Sequence, residues 1–207
     1  MTVLVVTPRD DGASRRCATW ADRLATKFAP TLSVRTTRSR SAVEALLRDH
    51  QHVLYFGHGE RDALVVPRRL FRSRRALIDL ANIGTAPGRI VVAVACFSGD
   101  QLARSATSSS AANRVKSYIG WLDEISWPPE WSDPIGDALV DGITTLLDGG
   151  DVGDCATAIR HAFDRAHDRY RNEGPARLPS DRVPFAKMCA TYGKERIAVE
   201  GDRTATL

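Results

Sequence analysis

A histidine and a cysteine, each set among small residues at the end of an apolar run, are the side chains of this sequence best equipped for chemistry. His58 closes the run Val53-Leu-Tyr-Phe-Gly-His-Gly59, and Cys96 closes Arg89-Ile-Val-Val-Ala-Val-Ala-Cys-Phe-Ser-Gly99. A thiolate is a strong nucleophile, and a nearby imidazole lowers the thiol pKa and later protonates a leaving amine. The glycines have a use as well. Gly59 lets its backbone N–H approach a substrate, and with the N–H of Cys96 it would form an oxyanion hole. A helix start just after Cys96 would favour the thiolate through its dipole. Taken singly, a cysteine ending a buried strand is most often a small core residue, and a His before Gly often sits in a loop. Their matching positions at two strand ends favour the joint reading.

Elements must bring the two together. Both runs are of strand length, rich in β-branched and aromatic residues, and too apolar to be solvated on either face, which suits central strands of a parallel sheet. Ligands bind such sheets at the carboxyl ends of the strands. A first strand is expected over 2–7 and a second over 32–36, with helices over 14–28 and 42–48, the latter capped at Ser41 with Glu44 at the capping-box position. Residues 60–75 read as a loop with six arginines (Arg61, Arg68, Arg69, Arg72, Arg74, Arg75) around a Leu64-Val65-Val66 island, followed by a brief helix over 76–83. A helix start at 99–107 and a strand over 118–122 come next. Asp133-Pro134 opens a helix to about 147, and a helix capped at Asp151 runs to about 170. A polar linker over 172–183 and short strands over 186–192 and 196–200 finish the pattern. Strands alternating with helices predict an α/β sandwich around a largely parallel sheet.

The bulk properties are those of a soluble globular chain: 207 residues, 43% hydrophobic and 26% charged. That length fits one domain over 1–207 with a full core. No apolar run approaches the roughly 20 residues of a membrane span, and the N-terminus reads as strand rather than signal peptide, so no membrane association is expected. Cys17, Cys96, Cys155 and Cys189 form no CxxC pair, which argues against a disulfide framework or a zinc knuckle and for the cytoplasm. Cys17, Cys155 and Cys189 read as core. The net charge of +4 is mild, and the arginine-rich loop has no interleaved aromatic except Phe71, so nucleic acid is not the expected partner.

The His-Gly at one strand end and the Ala-Cys-x-Ser-Gly at the next resemble the caspase-like cysteine peptidases of clan CD, the group that includes caspases, metacaspases, gingipains, separases and the bacterial CHAT peptidases. Val115-Lys-Ser-Tyr-Ile-Gly-Trp-Leu-Asp-Glu-Ile125 is similar to the strand after the nucleophile helix in CHAT-type members, and residues 147–162 resemble their helix pair with an intervening Gly. The resemblance covers roughly residues 50–165. It implies a caspase-like three-layer α/β sandwich with a mostly parallel central sheet, His58 as general base, Cys96 as nucleophile and no metal or cofactor. It also implies a protein or peptide substrate, in a bacterial setting where such peptidases cut a specific partner, sometimes an effector in a defence system.

The sequence departs from the resemblance at one informative place. Metacaspases that cut after basic residues carry Asp two residues before the cysteine, where this chain has Val94. The carboxylates nearest a strand end are then Asp123 and Glu124, which either bind a basic substrate side chain, Arg better than Lys if the contact is bidentate, or only cap the turn before Trp127 or sit in water. Two other readings stand beside the peptidase. A nucleophile elbow at Cys96 would take its base from His161 or His167, but Val94 is bulky where that turn wants Gly. A non-catalytic module would instead use the arginine-rich loop on phosphates. Trp127 and Trp131, around Pro128-Pro129, either line a groove or cover the core.

Overall fold

β1 (Val3–Val6), β3 (His52–Phe56) and β7 (Ile90–Val94) form the centre of a six-stranded sheet. The computed structural model describes residues 2–67, 74–86, 88–108 and 115–207. β2 (Leu32–Arg35) lies outside β1, and β8 (Ser117–Trp121) and β9 (Ile197–Gly201) lie beyond β7. All neighbours run parallel except β8 and β9. Every residue of β1, β3, β7 and β8 is buried. That burial is why these runs carry no polar alternation: both faces of the sheet are covered.

Successive side chains go to opposite faces. Val3 and Val5 join Leu54, Val92 and Trp121 against α1 (Gly12–Lys27), α4 (Asp133–Leu147) and α5 (Val152–Arg177), which contribute Trp20, Leu139 and Phe163. Leu4 and Val6 join Tyr55 and Val91 on the other face, against Leu47 of α2 (Arg40–Asp49) and Leu102 of α3 (Gln101–Ser108). Each fully buried Leu or Val contributes roughly 1.5–3 kcal/mol. Three layers result, as expected. Arg89, just before β7, is fully buried, and its guanidinium donates to the carbonyls of Leu47, His50, Gln51 and Ile83. It ties the end of α2 to the starts of β3 and β7.

Several expected elements differ. The chain leaves the main sheet at Gly57 and starts a separate antiparallel sheet of β4 (His58–Gly59), β5 (Ala63–Pro67) and β6 (Arg74–Asp79). The apolar island 64–66 is therefore a strand, and 76–79, expected as helix, is its partner. Leu64 and Val66 together with Leu77 and Ile78 bury the hairpin on α2, and that burial decides the matter over local propensity. Arg68, Arg69, Phe71 and Arg72 lie outside the described residues. The described arginines of this region meet protein groups: Arg61 reaches Asp100 at 3.6 Å, Arg74 reaches Glu60 at 3.6 Å, and Arg75 donates to the Arg38 carbonyl.

α2 is capped by Ser39, whose hydroxyl accepts from the Ala42 N–H, while Glu44 binds Arg40. α5 continues past residue 170 to Arg177, so the linker is shorter than expected. The strand expected over 186–192 is helix α6 (Arg182–Glu195). Its buried positions, Ala186, Cys189, Ala190 and Gly193, follow the helical period. Gly193 also permits close packing, since a Cβ there would lie 2.5 Å from Phe163 Cε1.

Candidate active site

β3 and β7 are adjacent and parallel, with Phe56 opposite Val94, and the Gly57 N–H extends their ladder to the Val94 carbonyl at 3.2 Å. Both chains then turn out of the sheet at the same level. His58 and Cys96 follow those turns and line one cavity of about 140 Å³, together with Ala13, Ser14, Cys17, Gly57, Val94, Ala95, Ile125 and Trp127. The cavity lies at the carboxyl end of the parallel strands, where such sheets bind ligands.

Cys96 sits in a tight turn held from several sides. The next residue, Phe97, has φ of 54°, a left-handed conformation rare for a bulky side chain. Its N–H donates to the Asp123 carbonyl at 3.1 Å, and the Gly99 N–H donates to Trp121 O at 2.9 Å. Ser98 is fully buried; its hydroxyl lies 2.8 Å from Ala95 O and 3.0 Å from Ala93 O, and accepts from the Trp121 N–H. These bonds fasten the turn to β7 and β8, offsetting a strain of about 1–3 kcal/mol at Phe97. The Cys96 N–H has no backbone acceptor among the described residues and lies against its own sulfur.

The thiol is half-buried, with Sγ resting 3.9 Å from the Ile125 carbonyl. Burial pushes its pKa up and Glu124 adds to the rise, against the opposing effects of Ile125, Arg74 and its own amide. Burial therefore favours the protonated thiol at neutral pH.

His58 Nε2 lies 2.7 Å from Oδ2 of Asp11, a partner that the sequence reading did not single out. Asp11 is the N-cap of α1, where its other oxygen accepts from the Ser14 N–H at 2.9 Å. Burial acts to raise the Asp11 pKa, but the Ser14 amide and His58 outweigh it and leave it below the usual value. An ionised carboxylate only accepts. The proton of a neutral His58 thus sits on Nε2, and Nδ1 is left as the basic nitrogen. Nδ1 has no hydrogen-bond partner among the described residues. The one local signal for Asp11 was its capping position ahead of a helical apolar pattern, and it pointed to a cap rather than to a site.

Gly59 packs directly on the Cys96 turn: a Cβ there would lie 2.3 Å from the Cys96 carbonyl oxygen and 3.0 Å from Ala95 Cβ. In the β4–β5 ladder the Glu60 N–H donates to Ala63 O at 2.8 Å. Bonded and non-bonded pairs alternate along an antiparallel ladder. The Gly59–Leu64 pair is therefore non-bonded, and the Gly59 N–H turns away from β5.

Asp123 and Glu124 follow β8 but line a neighbouring cavity of about 360 Å³, with Phe185, Met188 and Tyr192, rather than the one holding Cys96. The Asp123 carboxylate accepts from Tyr192 Oη at 2.7 Å and from the Glu124 N–H at 2.9 Å. Those bonds account for much of its accepting capacity. Glu124 is exposed and close enough to act on the Cys96 thiol. His161 and His167 lie on α5 and line neither cavity. Trp127 does both things proposed for it, walling the Cys96 cavity and packing edge-on to Trp20 at 5.0 Å, whereas Trp131 is buried against Tyr170. Cys17, Cys155 and Cys189 are buried, the first beneath the Cys96 cavity and the last in a helix rather than a strand. Among the described residues no three His, Cys, Asp or Glu side chains gather as metal ligands would, and no helix is long and apolar enough to cross a membrane.

Comparison with solved structures shows a likeness of fold to gingipains. The whole chain aligns with gingipain R, described as an Arg-specific cysteine proteinase, with a TM-score of 0.60 and 13% identity. It aligns equally with the complex of the pro- and mature domains of RgpB from Porphyromonas gingivalis, at a TM-score of 0.58 and 13% identity. The chain spans about half of those proteins, 47% and 48% of their lengths. No protein-family model matches the sequence, and no curated protein does.

Proposed function

We propose that this chain is a cysteine endopeptidase in which Cys96 is the nucleophile, His58 the general base and acid, and Asp11 the residue that orients the imidazole. The observation that carries the reading is the meeting of His58 and Cys96 in one cavity at the ends of adjacent parallel strands, with His58 backed by a carboxylate. In the first step His58 Nδ1 takes the thiol proton as Sγ attacks the scissile carbonyl carbon, and the carbonyl π pair moves onto oxygen. The N–H groups of Gly59 and Cys96 receive that oxyanion. As the intermediate collapses, the C–N bond breaks and His58 gives its proton to the departing amine, leaving an S-acyl enzyme. Water, deprotonated by His58, then attacks the acyl carbon; the thioester breaks, the second product leaves as a carboxylic acid, and the thiol is restored. Asp11 keeps the proton on Nε2 and stabilises the imidazolium that forms midway.

The finer reading is a CHAT-type enzyme that cuts a specific protein partner in a bacterial defence setting. Its support is the motif at Cys96 and the 115–125 stretch. Asp123 and Glu124 are the candidates for a basic substrate side chain, with Glu124 the freer of the two. A peptide library offered to the wild type, Cys96→Ala and Asp123→Ala tests both levels. Cleavage that disappears in Cys96→Ala supports the peptidase. A preference for Arg or Lys that collapses in Asp123→Ala supports the carboxylate site. Equal turnover by Cys96→Ala overturns the mechanism.

A further inference from the structure

The Cys96 cavity continues into a larger one of about 600 Å³, with which it shares Ala13, Ile125 and Trp127. That cavity has an apolar bed of Ile125, Trp127, Pro129 and Phe185, and two arginines reach it, Arg16 from α1 and Arg182 from the first position of α6. Among the described residues no carboxylate lines it. Neither guanidinium has a hydrogen-bond or ion-pair partner among the described residues, whereas Arg9, Arg23 and Arg169 are paired with aspartates. Asp11, next to Gly12 of the lining, is committed to His58 and Ser14.

We propose that this cavity is a subsite for an acidic side chain of the peptide substrate, whose carboxylate is held by Arg16 and Arg182. The inference deepens the peptidase reading and rests on it for the direction in which the peptide runs, from the Cys96 cavity across Ile125 and Trp127. Two unpaired cations lining one concavity raise its potential for an anion. A guanidinium offers the planar fork that pairs with a carboxylate through two parallel hydrogen bonds. The apolar bed suits the rest of an extended peptide, and at about 600 Å³ the space takes several side chains rather than a lone ion. The same trough passes Ser126 and Phe185 into the cavity of Asp123 and Glu124. Arg16 and Arg182 thus line one part of the trough and Asp123 and Glu124 another, a separation of charge that orients a substrate carrying both signs.

Binding tests this without requiring chemistry. Fluorescein-labelled octapeptides with Asp or Glu scanned through each position, and Ala in the matched controls, are titrated against the Cys96→Ala protein by fluorescence polarisation. Acidic peptides should bind roughly tenfold tighter or more than the Ala controls, the strength expected of hydrogen bonds to charged groups. The advantage should vanish in Arg16→Gln/Arg182→Gln and shrink with added salt. Both arginines are exposed and unpartnered, so the double variant should keep its melting temperature, which is measured alongside. Equal binding of acidic and Ala peptides, no binding of any peptide, or an advantage that survives the double substitution overturns the subsite. Offering the same peptides to the wild type separates the two claims. Acid-selective binding without cleavage retains the subsite and removes the peptidase, while cleavage indifferent to acidic residues does the reverse.

Discussion

The carboxylate of Asp11 joins two structures at once, accepting from the first turn of α1 through one oxygen and from His58 Nε2, at 2.7 Å, through the other. The start of α1 therefore sets the angle of the His58 imidazole. Asparagine caps a helix about as well as aspartate, so Asp11→Asn leaves α1 in place while removing the charge that holds the proton on Nε2. Its kcat should fall roughly 10- to 100-fold with KM little changed. Asp11→Ala should lose the same activity and about 1 kcal/mol of stability besides, from the missing cap. Steady-state kinetics with chemical denaturation checks both. An Asn variant of full activity would remove Asp11 from the mechanism.

Gly59 is the tightest point of the site. With the Cys96 carbonyl 2.3 Å from where its Cβ would be, Gly59→Ala must push the β4 backbone away from the Cys96 turn. A loss of about 1–3 kcal/mol is expected from the overpacking, and activity should drop well beyond what that loss explains, because the same shift moves the Gly59 N–H. Gly12, at the start of α1, has nothing within 4 Å of where a Cβ would be, and Gly12→Ala should leave stability close to wild type. Comparable effects at the two glycines would speak against the close approach of Gly59 to Cys96.

Much of the sheet was legible in the sequence for a specific reason. Central parallel strands are buried on both faces, so β1, β3 and β7 appear as unbroken apolar runs, and their ends mark His58 and Cys96 directly. β5 and β6 were harder to see because their arginine-rich flanks imitate a solvated loop, and only the packing of Leu64 and Ile78 on α2 makes them strands. The helix α6 was hidden by its small residues: Ala186, Ala190 and Gly193 carry too little hydrophobicity to betray a period. Asp11 was hidden by distance, since it reaches His58 only once β1 and β3 are side by side. Residues that meet through sheet order leave no spacing to read.

His52, the first residue of β3, is almost fully buried, and its Nδ1 accepts from the Ile90 N–H at 3.2 Å. Burial, with Arg89 and Lys116 nearby, brings its pKa down from 6.5 to about 4. A base with a depressed folded-state pKa stabilises the fold fully above the unfolded value of 6.5 and loses that contribution as pH falls towards 4. Between pH 7.5 and pH 5 the loss should be roughly 1–2 kcal/mol. Urea denaturation at the two pH values measures it. His52→Asn, which keeps an acceptor for Ile90, should be less stable at pH 7.5 but lose less between the two. An imidazole that titrates near 6.5 in the folded protein by NMR would contradict the argument.

The resting state of Cys96 leads to the last prediction. Burial and the Glu124 charge raise its pKa above 9.0, against the pull of the Ile125 contact and Arg74, and only the thiolate reacts with an alkylating agent. Iodoacetamide should therefore modify the free protein slowly at pH 7, at a rate still climbing above pH 9. Modification should fall on Cys96, since Cys17, Cys155 and Cys189 are buried and burial raises their pKa values as well. Glu124→Gln removes a like charge and should speed alkylation at pH 7 by a few-fold, a modest effect because the carboxylate is exposed to solvent. Peptide mapping after a short exposure at each pH gives the rates site by site. A rate for Cys96 that levels off below pH 8 would mean that the free protein already holds a thiolate, and Asp11 and His58 would then be stabilising an ion pair rather than waiting to form one.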